Sequence, residues 1–161
     1  LARAYAAIAN GGILVRPRIL QAIDDADGRT LYRYGTEVEH RVISERTAAR
    51  LRNILRAVVV RGTGNPSAQV AGYTTAGKTG TAQVVENGIY EPGAYIASFV
   101  GYVPADRPRY VILVKIDQPR GAIYGSVVAA PVFSEIAKTA MLHAGIMPKL
   151  NVPARKAADK R

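Results

Sequence analysis

LysThrGlyThrAlaGlnValVal (Lys78 to Val85), AlaTyrIleAlaSerPheValGlyTyrVal (Ala94 to Val103) and TyrValIleLeuValLysIle (Tyr110 to Ile116) are the three runs that decide the fold. Their β-branched and aromatic content marks strands. Asn87-Gly88 tolerates the positive φ that a tight hairpin turn requires, and Pro104 to Arg109 turns the second run into the third. The third run is apolar at both alternate sets of positions. A strand of that kind is predicted to be buried on both faces, which demands helices on each side. The expected fold class is therefore α+β, an antiparallel sheet covered by helices on both faces.

Working outward, Ala48, Leu51, Ile54, Leu55 and Val58 recur at helical spacing, while Arg46, Arg50, Arg52 and Arg56 fall mostly on the other faces. Ser44 stands where that helix needs an N-cap and Gly62 where it ends; Gly62 to Ala68 is loop chemistry, with Asn65 held off the helical region by Pro66. Val132 to Ala144 predicts a second helix, opened by Pro131 and closed by Gly145. Ile13 to Ile23 is expected as a strand and Asp24 to Arg29 as a turn. Thr30 to Tyr34 is expected to return beside that strand as a hairpin. Leu1 to Ala9 reads as a helix stopped by Asn10, Gly11 and Gly12, with no capping residue before it. The expectation is a fragment entered partway through a helix.

Composition narrows the chemistry. The 161 residues carry 22 Lys+Arg against 12 Asp+Glu, a net charge of +10, with 48% apolar residues and no cysteine. The absence of cysteine excludes disulfides, a thiolate metal site and a cysteine nucleophile. No apolar run approaches the length of a membrane span. Residues from Lys149 onward form a basic tail, and the remaining arginines are isolated, without interleaved aromatics, so the charge does not read as a nucleic-acid footprint. His40 and His143 stand in no metal-ligand pattern, and His143 reads as a partner for a helix C-terminus. No metal and no cofactor is expected.

The chemical signal is AlaGlyLysThrGlyThrAla (Ala76 to Ala82), because a Lys-Thr-Gly triad opening a strand is the third signature of penicillin-recognising serine enzymes. The chain also resembles the C-terminal part of the transpeptidase domain of class B penicillin-binding proteins. Five blocks in order carry the resemblance: Ala2 to Gly12, Gly62 to Gly64 (GlyThrGly), Gly72 to Gln83, Ser98 to Pro108 and Ala129 to Ile136. It implies that residues 1–148 are the C-terminal part of a transpeptidase domain, while residues 149–161 read from their composition as a disordered basic tail. The implied activity is a D-Ala-D-Ala transpeptidase that cross-links peptidoglycan stem peptides and is acylated by β-lactams. The implied partners are those stem peptides, β-lactams and, through the parent protein, the cell-wall synthesis machinery. The implied location is the extracytoplasmic face of the membrane, anchored by an N-terminal helix outside this segment.

Two family signatures, Ser-x-x-Lys with the nucleophile and Ser-x-Asn, have no convincing copy here and are expected upstream. Ser44, Ser67, Ser98, Ser126 and Ser134 read instead as cap, loop, strand, loop and helix residues.

Strand alternation puts Lys78 and Gly80 on one face and Thr79 and Thr81 on the other. The bare Gly80 is expected to let the nucleophile's helix approach, and Lys78 to point into the cleft as a cation near the missing serines. The resemblance assigns the Thr79 and Thr81 hydroxyls to the substrate carboxylate and the Thr81 N–H to the oxyanion hole. The strand edge is expected to pair with the stem peptide. Tyr124, in the loop after the last strand, is a candidate lining residue, with a packing tyrosine as the competing account. Two other functions share parts of this pattern. A β-lactamase or β-lactam sensor shares the third motif and is separated by deacylation, while a noncatalytic interaction module rests only on the absent serine.

Overall fold

The computed structural model describes residues 1–149, so the tail assigned to 149–161 lies, Lys149 apart, outside the described residues. The three runs quoted above form one antiparallel sheet. If the elements are numbered along the chain, its strands are β5 (Ala76–Glu86), β6 (Ile89–Val103) and β7 (Tyr110–Asp117), in the order β5-β6-β7. Asn87 and Gly88 both take positive φ, 52° and 81°, and close the β5–β6 turn as the sequence predicts.

The sheet corrects one expectation. β7 is an edge strand, with Val114 as its buried residue and Leu113 38% exposed. The strand with both neighbours is β6, where Phe99, Val100, Tyr102 and Val103 are all buried. Apolar residues on both faces of β7 do not decide its place, because an edge strand can carry them half-covered beneath helices.

Helices do cover both faces. On one, α4 (Ala130–His143) sets Phe133, Ala137 and Met141 against Phe99, Val103 and Val114. The Phe99 and Phe133 rings meet at 4.7 Å between centroids. Gly77 and Gly101, paired across β5 and β6, give those rings a flat seat: a Cβ on Gly77 would lie 2.6 Å from the Phe99 ring, and one on Gly101 2.9 Å from it. On the other face α1 (Ala2–Ala9) brings Tyr5, Ile8 and Ala9 to Ala76, Tyr102 and Val111. The Asn10-Gly11-Gly12 stop works through a Gly12 N–H to Ala7 O bond of 2.7 Å, with φ positive at both glycines.

The helix α2 (Glu45–Arg61) packs along β5 and reaches both clusters, Leu55 on the α1 side and Val59 on the α4 side. Ser44 caps it by accepting from the Thr47 N–H, and Gly62 ends it. Its buried stripe is Ala48, Leu55 and Val59, whereas Ile54 is 58% exposed. The predicted face is thus rotated, since a helix serving two clusters at a sheet edge need not follow one strict stripe.

The strand predicted over Ile13 to Ile23 is broken. β1 (Ile13–Val15) ends before Arg16-Pro17, where Pro17 lacks an N–H and restricts its predecessor. β1 pairs with β4 (Val38–Arg41), a strand the sequence reading missed, and the predicted hairpin is confined to β2 (Ala22–Asp24) and β3 (Thr30–Arg33). The last helix starts earlier than predicted and follows a short α3 (Gly125–Val128), so Ser126 is helical rather than in a loop. Lys149, assigned to the tail, is tied to the domain by its N–H to Gly72 O and its ammonium to Asp106.

Candidate active site

The Lys78–Thr81 segment opens β5, which among the described residues has β6 on one side and no strand on the other. Which backbone groups face that open side follows from Gly125 at the start of α3. A Cβ on Gly125 would lie 2.2 Å from Ser98 O and 2.7 Å from Gly80 O, so these two carbonyls face each other inside the β5–β6 ladder. Because the pattern alternates, the N–H and C=O groups of Thr79 and Thr81 turn to the open edge. Lys78 agrees, since its ammonium donates to Thr79 O at 3.0 Å.

The side chains keep the predicted alternation. Gly80 lies opposite Ser98, whose side chain shares a face with Lys78, while Thr79 and Thr81 lie opposite Phe99 and Ala97 on the α3–α4 face. A Cβ on Gly80 would sit 2.6 Å from the Ser98 hydroxyl, so a side chain there would require that hydroxyl to turn away. The Thr81 hydroxyl accepts from the Gly125 N–H at 3.4 Å, which ties the motif to the start of α3. Thr79 Oγ1 accepts from the Lys78 ammonium at 3.2 Å and lies 2.9 Å from Thr63 Oγ1. Among the described residues Lys78 is exposed and forms no ion pair with a carboxylate. The wall therefore presents a cation, two hydroxyls and an outward N–H along a few residues of edge strand, a set suited to holding a carboxylate and a developing oxyanion.

Tyr124 precedes α3, is 61% exposed among the described residues, and lies next to the Gly125–Thr81 contact. Thr63 is the neighbour the sequence reading missed. Its Gly-Thr-Gly setting was visible as a block of the resemblance, but nothing local says that its hydroxyl meets β5.

The far end of the same ladder carries the shifted titrations. The Thr74 hydroxyl donates to Asp106 at 2.7 Å, and with Lys149 beside it this holds the Asp106 carboxyl down at about 2. Burial pushes the Tyr102 phenol up to about 12 and raises that of Tyr5. Tyr102 Oη has no hydrogen-bond partner among the described residues. A hollow of about 520 Å³ lined by Tyr73, Thr74, Asp106, Arg107, Arg109 and Lys149, among others, lies at this end, away from Lys78–Thr81.

Comparison with known proteins follows the same segment. Residues 1–138 match the model of the penicillin-binding protein transpeptidase domain. Stage V sporulation protein D of Bacillus subtilis is 40% identical over 150 residues, covering 92% of this chain and 23% of that protein. The chain spans about a quarter of the length of the curated relatives it matches. Among solved structures, the D,D-transpeptidase domain of a peptidoglycan glycosyltransferase from Eggerthella lenta has a TM-score of 0.74 at 32% identity, covering 91% of this chain and 32% of that one. Penicillin-binding protein 3 of Mycobacterium tuberculosis in complex with aztreonam has a TM-score of 0.76 at 37% identity, covering 92% and 35%.

Proposed function

The chain belongs to the family of penicillin-binding protein transpeptidase domains, and from that membership we propose that it forms one wall of the active site of a serine-type peptidoglycan D,D-transpeptidase. The observation that supports the reading best is the open edge of β5, where Lys78, Thr79 and Thr81 converge with outward backbone groups. A stem peptide ending in D-Ala-D-Ala, or a β-lactam in its place, lies along that edge as an added strand. Its terminal carboxylate takes the Thr79 and Thr81 hydroxyls. The serine nucleophile, carried by a Ser-x-x-Lys outside residues 1–161, attacks the scissile carbonyl. The oxygen that becomes negative then receives the Thr81 N–H, a donor already fixed by the sheet and needing no reorganisation. The Lys78 ammonium supplies positive potential beside the nucleophile's partners and lies within reach of the leaving group for proton transfer. Tyr124 borders the entrance. The parent protein works at the extracytoplasmic face of the membrane, held by a helix outside this segment and joined to the cell-wall synthesis machinery.

The test is covalent labelling. A fluorescent penicillin is expected to label the complete enzyme through denaturation and to leave residues 1–161 alone unlabelled. A labelled band on the isolated chain would place a nucleophile among Ser44, Ser67, Ser98, Ser126 and Ser134 and sink the division of roles. An unlabelled complete enzyme would sink the transpeptidase reading.

A further inference from the structure

Gly62-Thr63-Gly64 closes α2 in a turn whose two glycines have a clear mechanical reason. The N–H groups of Gly62 and Gly64 both donate to Val58 O, at 3.0 and 3.1 Å. A Cβ on Gly62 would lie 3.0 Å from Val58 backbone atoms, and one on Gly64 3.2 Å from Val59 Cα. The glycines thus press the chain back onto the last turn of α2, and the residue between them projects toward β5. Helix termination does not need a hydroxyl at that tip, yet Thr63 Oγ1 stands 2.9 Å from Thr79 Oγ1. Both residues are accessible to water here, where a hydroxyl pair adds little to stability because water replaces it.

Counting protons gives the pair a purpose. A threonine hydroxyl has one proton and two acceptor positions, and a lysine ammonium can only donate. Lys78 therefore fills one acceptor position of Thr79 Oγ1. If Thr63 donates to the other, the remaining valence of Thr79 Oγ1 is its own proton, directed away from both. Thr81 has a parallel arrangement, its oxygen accepting from the Gly125 N–H and its proton left to give. We propose that Thr63 is a positioning residue: by donating to Thr79 Oγ1 beside Lys78, it commits the Thr79 proton to the ligand's carboxylate. This rests on the reading of Thr79 and Thr81 as carboxylate donors. Without Thr63, the Thr79 hydroxyl can rotate and offer a lone pair to the carboxylate side, which repels the ligand.

The experiment compares acylation of the complete enzyme by benzylpenicillin and by its methyl ester, in wild type, Thr63→Val, Thr63→Ala and Thr63→Ser, alongside thermal melts. Thr63→Val and Thr63→Ala are expected to slow acylation by the acid about three- to tenfold, the size of one neutral hydrogen bond, since the bond deleted is the one between two hydroxyls. The ester rate is expected to stay within about twofold, because the ester lacks the charge that the Thr79 proton serves. Thr63→Ser should restore the acid rate. An acid-to-ester ratio unchanged by Thr63→Val overturns the proposal, as does an equal fall for both ligands, which is the mark of a merely structural role. Wild-type enzyme that fails to favour the acid over the ester instead breaks the carboxylate reading of Thr79 and Thr81, and wild-type enzyme that reacts with neither breaks the transpeptidase reading.

Discussion

The two ends of the β5–β6 ladder use polar residues in opposite ways. At the Ala76–Tyr102 end, the Thr74 hydroxyl is consumed between neighbours, accepting from the Ala105 N–H and donating to Asp106, which also takes Lys149. Beside it Tyr102 is fully buried, and its hydroxyl, without a hydrogen-bond partner among the described residues, is the exception at this end. That end is a clasp joining the start of β5, the β6–β7 turn and the chain after α4. At the Thr79–Thr81 end, five residues along the same strands, the hydroxyls accept from Lys78 and Gly125, Thr81 lies exposed, and the further partner of Thr79 is the Thr63 hydroxyl. Satisfied polar groups hold a fold closed, while groups with one valence left over are prepared for something that is not yet there.

Substitutions that separate stability from acylation sharpen this contrast, and the largest effect belongs to the core between the ends. Phe133→Ala removes a fully buried ring from against Phe99 and is expected to destabilise the complete enzyme by about 3–5 kcal/mol, read by denaturant unfolding. A loss below about 1 kcal/mol would mean that α4 is not the cover of that sheet face.

Next come the motif residues. Thr81→Val keeps the backbone N–H and deletes the hydroxyl; acylation by penicillin is expected to fall by one to two decades, roughly 1.5–3 kcal/mol, with the melt nearly unchanged. Lys78→Ala should fall further, about two to four decades, since it removes the cation and any proton transfer through it. A Thr81 variant that acylates normally but melts early would erase the contrast, making both ends structural.

The smallest effect is at the clasp. Asp106 is held at about 2 in the folded state against an ordinary 3.8, so its contribution is complete above about pH 4 and is lost as pH falls toward 2. Its side chain is 46% exposed, and solvent screening keeps the contribution to about 0.2–1 kcal/mol. Asp106→Asn should therefore flatten the acid limb of the stability curve between pH 4 and 2 and leave penicillin acylation at neutral pH within about twofold of wild type. An unchanged acid limb would show that the clasp contributes nothing, and a large loss of acylation would show that the two ends are coupled.

Much of this was legible in the residues themselves. Asn87-Gly88 announces its turn because few other pairs accept two positive φ values, and Ser44 announces the start of α2 because an orphan N–H needs an acceptor. Strand alternation separates Lys78 and Gly80 from Thr79 and Thr81 without any knowledge of the fold, and the structure keeps that separation. The β1–β4 pairing was not legible, since both strands are short, β4 is fully exposed, and charged residues outnumber apolar ones in it.

The sequence by itself determined much of the local geometry: that the three runs of the central sheet are strands, where the Asn87-Gly88 turn and the Ser44 cap fall, which side of β5 each motif residue takes, and that Lys-Thr-Gly-Thr opens a strand. These follow from φ/ψ preferences and from the two-residue repeat of a strand, which act between near neighbours. Only the tertiary structure decided that β6 rather than β7 is central, that α2 buries Val59 and exposes Ile54, that Thr74 clasps Asp106 across 32 residues, and that Thr63 meets Thr79 across 16. Each of these depends on which elements the chain's path brings side by side, and a hydroxyl carries no mark of the distant partner that will take its proton.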